Sequence, residues 1–430
     1  MELAELNAAL DDPLLESMNF LNEVAIRFPD SVSLAAGRPV DDHFDPAELE
    51  GYLSRFRRYL SADLGYDQRR VAQTLFQYGR TKGIIHDLIA RHLRVDEGVR
   101  ADPEAIVVTV GAQEALHLLL RALRAEPRDV ALAVAPTYVG FTGAARLMDL
   151  PVLPVASGTS GVDLADLRAR LLQARADGLR PRCLYVVPDF ANPTGISLDL
   201  PTRYRLLEAA REERLLLIED NPYGAFTGQD GRLPTLRSLD TGAQVAYVGS
   251  FAKTVLPGAR VGYVVADQRV RGRGHGYFAD ELGKIKSMVT VNTSPLSQAI
   301  VAGHLLAHDF SVIRANAAVA TRYRRNMSLM LAGLERRFPA GGDVTWNVPS
   351  GGFFIVLSVP FRADDGLLEH SAREHKVLWT PMSHFYGRTG GETQLRLSCS
   401  SLTPEDIETG LDRLAALVAE QRSRAAQAPR

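Results

Sequence analysis

Residues 247–262 read YVGSFAKTVLPGARVG. An apolar run ends in Ser250-Phe251-Ala252-Lys253, a Pro257-Gly258 turn follows, and Arg260 stands just before a second apolar run, VGYVVA (261–266). Short runs that are apolar throughout, rather than alternating, mark strands covered on both faces. The same pattern recurs at AIVVTV (105–110), VALAVAP (130–136), CLYVVP (183–188), LLLIED (215–220) and AYVGS (246–250). Apolar spacing near 3.6 predicts helices over 81–94 and over GAQEALHLLLRAL (111–123). Strands separated by helices predict an α/β layer fold with a mostly parallel central sheet covered by helices.

Working outward, residues 1–30 read as an N-terminal arm of short amphipathic segments. SVSLAAGRPVDDHFDP (31–46), punctuated by Gly37, Arg38, Pro39 and Pro46, reads as a cleft-lining segment. The expected units are a large domain over 48–295 and a smaller α+β domain over 296–430, with 31–47 as the small domain's first part. The latter holds a helix-rich stretch to Arg337, strands at 351–359 and 395–400, and a last helix from Thr403 to about Glu420. The tail 421–430 is expected to fray.

Composition excludes several classes. With 46% hydrophobic residues, 23% charged residues and a net charge of -2, the chain lacks the basic excess of a nucleic-acid binder. Two cysteines, Cys183 and Cys399, lie far apart within apolar runs, the pattern of buried thiols in a reducing compartment. No apolar run reaches the ~18 residues of a membrane span, and the acidic start MELAELNAALDDP is unlike a secretory peptide. A cytoplasmic location, no membrane and no metal are the expectations.

In open α/β sheets ligands gather at the carboxyl ends of the strands. Gly111-Ala112-Gln113 follows one strand and opens a helix, which suits a phosphate but also an ordinary turn. Asp220 ends LLLIED, where a buried carboxylate needs a cation or strong donors; an Asx turn or helix cap is the alternative, and Glu219 points the other way. Asn192-Pro193-Thr194-Gly195 reads as a tight turn. Lys253 at a low-dielectric sheet end would have a depressed pKa and could add to a carbonyl; otherwise it snorkels to solvent. Ser250 and Arg260 flank it with a hydroxyl and a guanidinium. Amine, carboxylate and phosphate anchor together match the needs of pyridoxal phosphate.

Taken in order, FQYGRTKG (76–83), VTVGAQEAL (108–116), PTYVGF (136–141), PDFANPTG (188–195), IEDNPYG (218–224), SFAKTVLPGARVGY (250–263) and LRLSCS (395–400) resemble the fold type I pyridoxal-phosphate aminotransferases. The branch most resembled holds the 2-aminoadipate and kynurenine aminotransferases and the aminotransferase halves of certain bacterial regulators. The match spans about residues 30–400, with Lys253 standing 33 residues after Asp220. The resemblance implies that Lys253 bonds the cofactor aldehyde and later moves the Cα proton. Asp220 would pair with the pyridine nitrogen, Asn192 and Tyr223 with the ring oxygen, and Tyr138 would stack on the ring. Ala112, Gln113, Ser250 and Arg260 would take the phosphate, with Tyr78 reaching across a homodimer, and Arg396 would clamp the substrate α-carboxylate. Ala252 stands where many relatives have a serine, which removes at most one phosphate hydrogen bond, about 1.5 to 3 kcal/mol.

The substrate side chain is less legible. Arg38, beside Gly37, either meets a second carboxylate or phenol or lies on the surface, and Phe141, Phe190, Phe353 and Phe354 either line a pocket or fill the core. The run LESMNFLNEVAIRFPDSVSLAAGRP (15–39) is similar to aminotransferases that make hydroxyphenylglycine and 3,5-dihydroxyphenylglycine for peptide antibiotics. The expected activity is exchange of an amino group between an aromatic or aryl-glycine amino acid and a 2-oxo acid; 2-aminoadipate, kynurenine or general specificity is the alternative. A lyase or decarboxylase would share the cofactor site, but a clamped carboxylate is the wrong bond to break. A DNA-binding regulator lacks its basic module in residues 1–40.

Overall fold

A computed structural model describes residues 1–2, 5–12, 15, 23–40, 45–158, 160–227, 231–272, 275–387 and 389–427. Residues 16–22 of the N-terminal run and 41–44 of the cleft segment lie outside the described residues.

The large sheet has seven strands: β1 (Ile106–Val110), β2 (Asp129–Ala135), β3 (Val152–Ala156), β4 (Arg180–Val186), β5 (Leu216–Asp220), β6 (Val245–Ser250) and β7 (Val261–Val265). Their spatial order is β1-β7-β6-β5-β4-β2-β3. Only β7 runs antiparallel to its neighbours, pairing Tyr263 with Val108 on one side and Gly249 on the other. The apolar runs meet two cores, as their lack of alternation requires. On β6, Ala246 and Val248 pack on one face while Tyr247 packs on the other with Phe251 and Tyr263.

Flanking helices include α1 (Pro46–Arg58), capped by Asp45, α2 (Gln68–Phe76), capped by Asp67, α3 (His86–Asp96) and α4 (Gly111–Leu123). Helix α5 (Pro295–Ala307) buries Ala299, Val301, Ala302 and Leu305 in the large-sheet cluster of Phe56, Ile106 and Val261. Helix α6 (Ala317–Arg337) spans two cores: Val319, Ala320 and Tyr323 join the large-sheet cluster, while Met327, Met330 and Leu334 join the cluster under a second sheet. That second sheet is antiparallel, with β8 (Thr345–Trp346), β9 (Phe354–Ser358), β10 (Thr380–Pro381) and β11 (Gln394–Ser398) in the order β8-β9-β11-β10. Val32–Ser33 pairs in parallel with Val377–Leu378, which ties the segment before Gly37 to the C-terminal part.

Three expectations need correction. The helix predicted over 81–94 begins at His86, because Gly83 adopts φ +105 and packs so closely on Val108 that a Cβ would lie 2.3 Å from its Cγ2. Strand β3 has no counterpart among the predicted runs; it carries Pro154 and is half-exposed, both tolerable only at a sheet edge. The last helix, α8 (Pro404–Gln427), continues through most of the tail expected to fray, held by an Arg422–Asp343 ion pair and an Arg424–Glu420 pair at 2.5 Å. Cys183 and Cys399 are free and buried, and burial pushes both thiols up to about 12. Among the described residues no helix is long and apolar enough to cross a membrane.

Candidate active site

A cavity of about 710 Å³ opens over the carboxyl ends of β4, β5 and β6. Its lining gathers Gly37, Arg38, Ala112, Gln113, Tyr138, Asn192, Asp220, Tyr223, Ser250, Lys253, Arg260 and Arg396 from across the sequence. Tyr78 is not among them; it is 86% exposed on the surface.

Asp220 arrives at the floor as the last residue of β5. Its Oδ2 accepts a hydrogen bond of 2.7 Å from the Tyr185 hydroxyl, while its buried Oδ1 has no partner among the described residues. Burial pushes the carboxyl up to about 6, against the lowering effect of the Tyr185 hydrogen bond. Glu219 does face away: its oxygens accept the backbone N–H groups of Leu236 (2.8 Å) and Arg237 (2.7 Å), at the start of the helix Leu236–Leu239.

Lys253 follows β6, and its Nζ donates to the Gly37 carbonyl at 2.7 Å. Burial first, then the charges of Arg396 and Arg260, push the amine down to about 8. Arg260 sits in the left-handed region (φ 51) at the end of the turn from Lys253. Its guanidinium lies against Gly111, where a Cβ would come within 2.5 Å of Nη2, and Gly111 itself has φ +70, a left-handed conformation that favours glycine. The N-terminus of α4, Ser250 and Arg260 therefore concentrate positive charge and donors in one corner. Beside them Gln113 Nε2 donates to the Gly140 carbonyl at 2.7 Å, and Tyr138 stands at the start of the helix Val139–Leu147. Burial, reinforced by Asp220 and opposed by Arg260, pushes the Tyr138 hydroxyl up to about 12.

Arg396 enters from β11. Nη1 donates to Asn192 Oδ1 at 2.6 Å, and Nη2 to the Ala35 carbonyl at 3.0 Å and to Thr380 Oγ1 at 3.2 Å. The guanidinium lies over the rings of Phe354 (4.4 Å) and Phe385 (5.0 Å), and its Nε has no partner among the described residues. Burial lowers its pKa to about 10. Burial pushes the Tyr223 hydroxyl well up, with Asn192 pulling the other way. Of the four phenylalanines singled out in the sequence, Phe354 lines the cavity; Phe141 lies under Tyr185 at 4.2 Å, and Phe190 and Phe353 are core residues. Tyr185, Thr380 and Phe385 join the site without having been singled out in the sequence. A tyrosine inside the apolar run CLYVVP was the available signal for the first, since a buried hydroxyl needs a partner.

A parallel sheet with one reversed strand, a buried amine and carboxylate at its strand ends, and an arginine entering from a second sheet define a transferase of the fold type I class. The aminotransferase class I and II family matches residues 58–414, and the chain belongs to that family as an aminotransferase. It is 54% identical to the (S)-3,5-dihydroxyphenylglycine transaminase of Amycolatopsis orientalis, over 97% of this chain and 94% of the relative. It is 32% identical to the 2-aminoadipate transaminase of Thermus thermophilus, over 90% and 89% of the two chains. The crystal structure of the α-aminoadipate aminotransferase LysN, also from Thermus thermophilus and complexed with N-(5'-phosphopyridoxyl)-L-leucine, superposes with a TM-score of 0.80 at 28% identity, covering 98% of this chain and 100% of that one.

Proposed function

We propose that the chain is a pyridoxal-phosphate-dependent aminotransferase that interconverts an aryl glycine and its aryl glyoxylate, with a second amino acid and 2-oxo acid completing a ping-pong cycle. The observation that carries the cofactor is the orphaned, buried Oδ1 of Asp220 in the cavity that also holds the Lys253 amine. An acceptor left unpaired at that depth is costly unless a ligand N–H meets it. The donor-rich corner of Ala112, Gln113, Ser250 and Arg260 fits a phosphate, Asn192 and Tyr223 fit the ring oxygen, and Tyr138 fits the ring face.

Bound pyridoxal phosphate supplies an electron-poor ring that stabilises negative charge at the substrate Cα. The protein does the rest. Asp220 keeps the ring nitrogen protonated. Lys253 would hold the cofactor's aldehyde carbon, and its free amine would hold and move the proton at Cα. Arg396, fixed between two phenyl faces, takes the α-carboxylate in a bidentate pair and so orients the Cα–H bond rather than the carboxylate for cleavage.

The 54% identity to the dihydroxyphenylglycine enzyme across nearly the whole chain favours an aryl-glycine side chain, and with it a place in the supply of peptide antibiotics. Arg38, on the cavity lining, and the 32% identical relative favour a second reading, 2-aminoadipate. We also infer a homodimer: Phe76, Tyr78, Met288 and Val289 are exposed, as a surface covered by a second copy would be. The free buried thiols fit a reducing cytoplasm. The test is a half-reaction screen in which single amino acids are mixed with the holoenzyme and pyridoxamine phosphate is measured. Phenylglycines should react fastest. Fast aminoadipate with inert phenylglycines would favour the second reading, and carbon dioxide in place of oxo acid would overturn transamination.

A further inference from the structure

We propose that His370, His375 and Glu420 form a zinc site remote from the cavity. His370 ends the helix α7 (Asp365–His370), and His375 ends the π-helical turn Ser371–His375 that continues it. In an α-helix, positions five apart diverge by about 140°. A π turn, with its i→i+5 bonds, brings them to the same side instead, and the two rings meet edge to face, 5.8 Å apart at 68°. Both Nε2 atoms accordingly meet one carboxylate: His370 lies 3.1 Å from each Glu420 oxygen and His375 lies 2.5 Å from Oε2. The three ligand atoms lie within 4.8 Å of one another, and all three residues are half-buried.

Two imidazole nitrogens and a carboxylate oxygen, with a fourth position open to water, make a three-ligand zinc set. Zinc–nitrogen and zinc–oxygen bonds of about 2.0 to 2.2 Å require these side chains only to open modestly around an ion seated between Oε2 and the two rings. Arg424 holds Oε1 at 2.5 Å, which leaves Oε2 for the metal and orients the carboxylate. π turns are rare and concentrate at functional sites; this one brings both rings to one carboxylate. The ion would fasten α8 to the turn leading into Val377–Leu378, and so to Val32–Ser33.

The test uses the full-length, untagged holoenzyme and zinc ion alone. Equilibrium dialysis should retain about one equivalent per chain, and Tm should rise with zinc concentration, since only the folded state presents the site. Magnesium and calcium, which prefer oxygen ligands, should have no such effect. His370→Gln/His375→Gln should lose zinc and the Tm response while keeping transaminase activity, and Glu420→Gln, which spares both imidazoles, should weaken zinc at least about tenfold. If the wild type retains no more zinc than the double variant, the site does not exist and the three groups are an ion pair only.

Discussion

The Tyr185 hydroxyl donates to Asp220 Oδ2 at 2.7 Å across the neighbouring strands β4 and β5, leaving the other carboxylate oxygen buried without a partner among the described residues. Burial alone would favour the neutral acid, and this bond opposes it. Tyr185→Phe keeps the ring on Phe141 and removes the donor, so the Asp220 pKa should rise further above about 6. Ionised Asp220 is then scarcer at neutral pH. The acid limb of the kcat/KM profile should move upward by about one pH unit, the size expected for a hydrogen bond to a charged group; an unchanged limb would remove Tyr185 from the mechanism.

The Lys253 amine, held down to about 8, is protonated below that pH and neutral above it. Recombination of apoprotein with pyridoxal phosphate, followed by absorbance, should therefore accelerate on the order of tenfold per unit up to about pH 8 and then level. Lys253→Ala should cut turnover more than about 10³-fold while still binding the cofactor. Near wild-type turnover in that variant would sink the assignment of the amine.

Arg396→Lys preserves charge but loses the planar fork and its seat between Phe354 and Phe385. KM for amino donors should rise about 10- to 100-fold, as expected for a lost charge-assisted pair, with the cofactor spectrum unaltered. A variant that instead released the cofactor would show that Arg396 serves the ring rather than the carboxylate.

Stability should hinge on a buried pair beneath α4. Lys286 Nζ donates to Glu114 Oε2 at 2.7 Å, with the lysine side chain wholly buried and the glutamate nearly so. Glu114→Leu strands the ammonium and should cost about 3 to 5 kcal/mol, seen as a large fall in Tm. Adding Lys286→Met should recover much of the loss, because a desolvated charge then no longer stands alone.

The central sheet and α4 were legible because a strand buried on both faces, or a helix with a wide apolar stripe, writes its environment into local residue type. Strand β3 was not, since an edge strand with Pro154 lacks that signature. The two carboxyl-bearing neighbours Glu219 and Asp220 could be separated by strand alternation alone. Thr380, Phe385 and the carbonyls of Ala35 and Gly37 could not be found that way. They reach the site through pairing between distant strands, through the short turn Met382–Phe385 and through backbone atoms, none of which depends on a recognisable side-chain pattern.

Asn192 accepts from Arg396 and lines the same cavity as Tyr223. The parts common to every amino acid are tied to the rim segment before Arg38 through main-chain carbonyls, Ala35 to Arg396 and Gly37 to Lys253, contacts that do not depend on which side chains that segment carries. Substrate range can drift by altering the rim, generation after generation, without the shared apparatus having to be rebuilt.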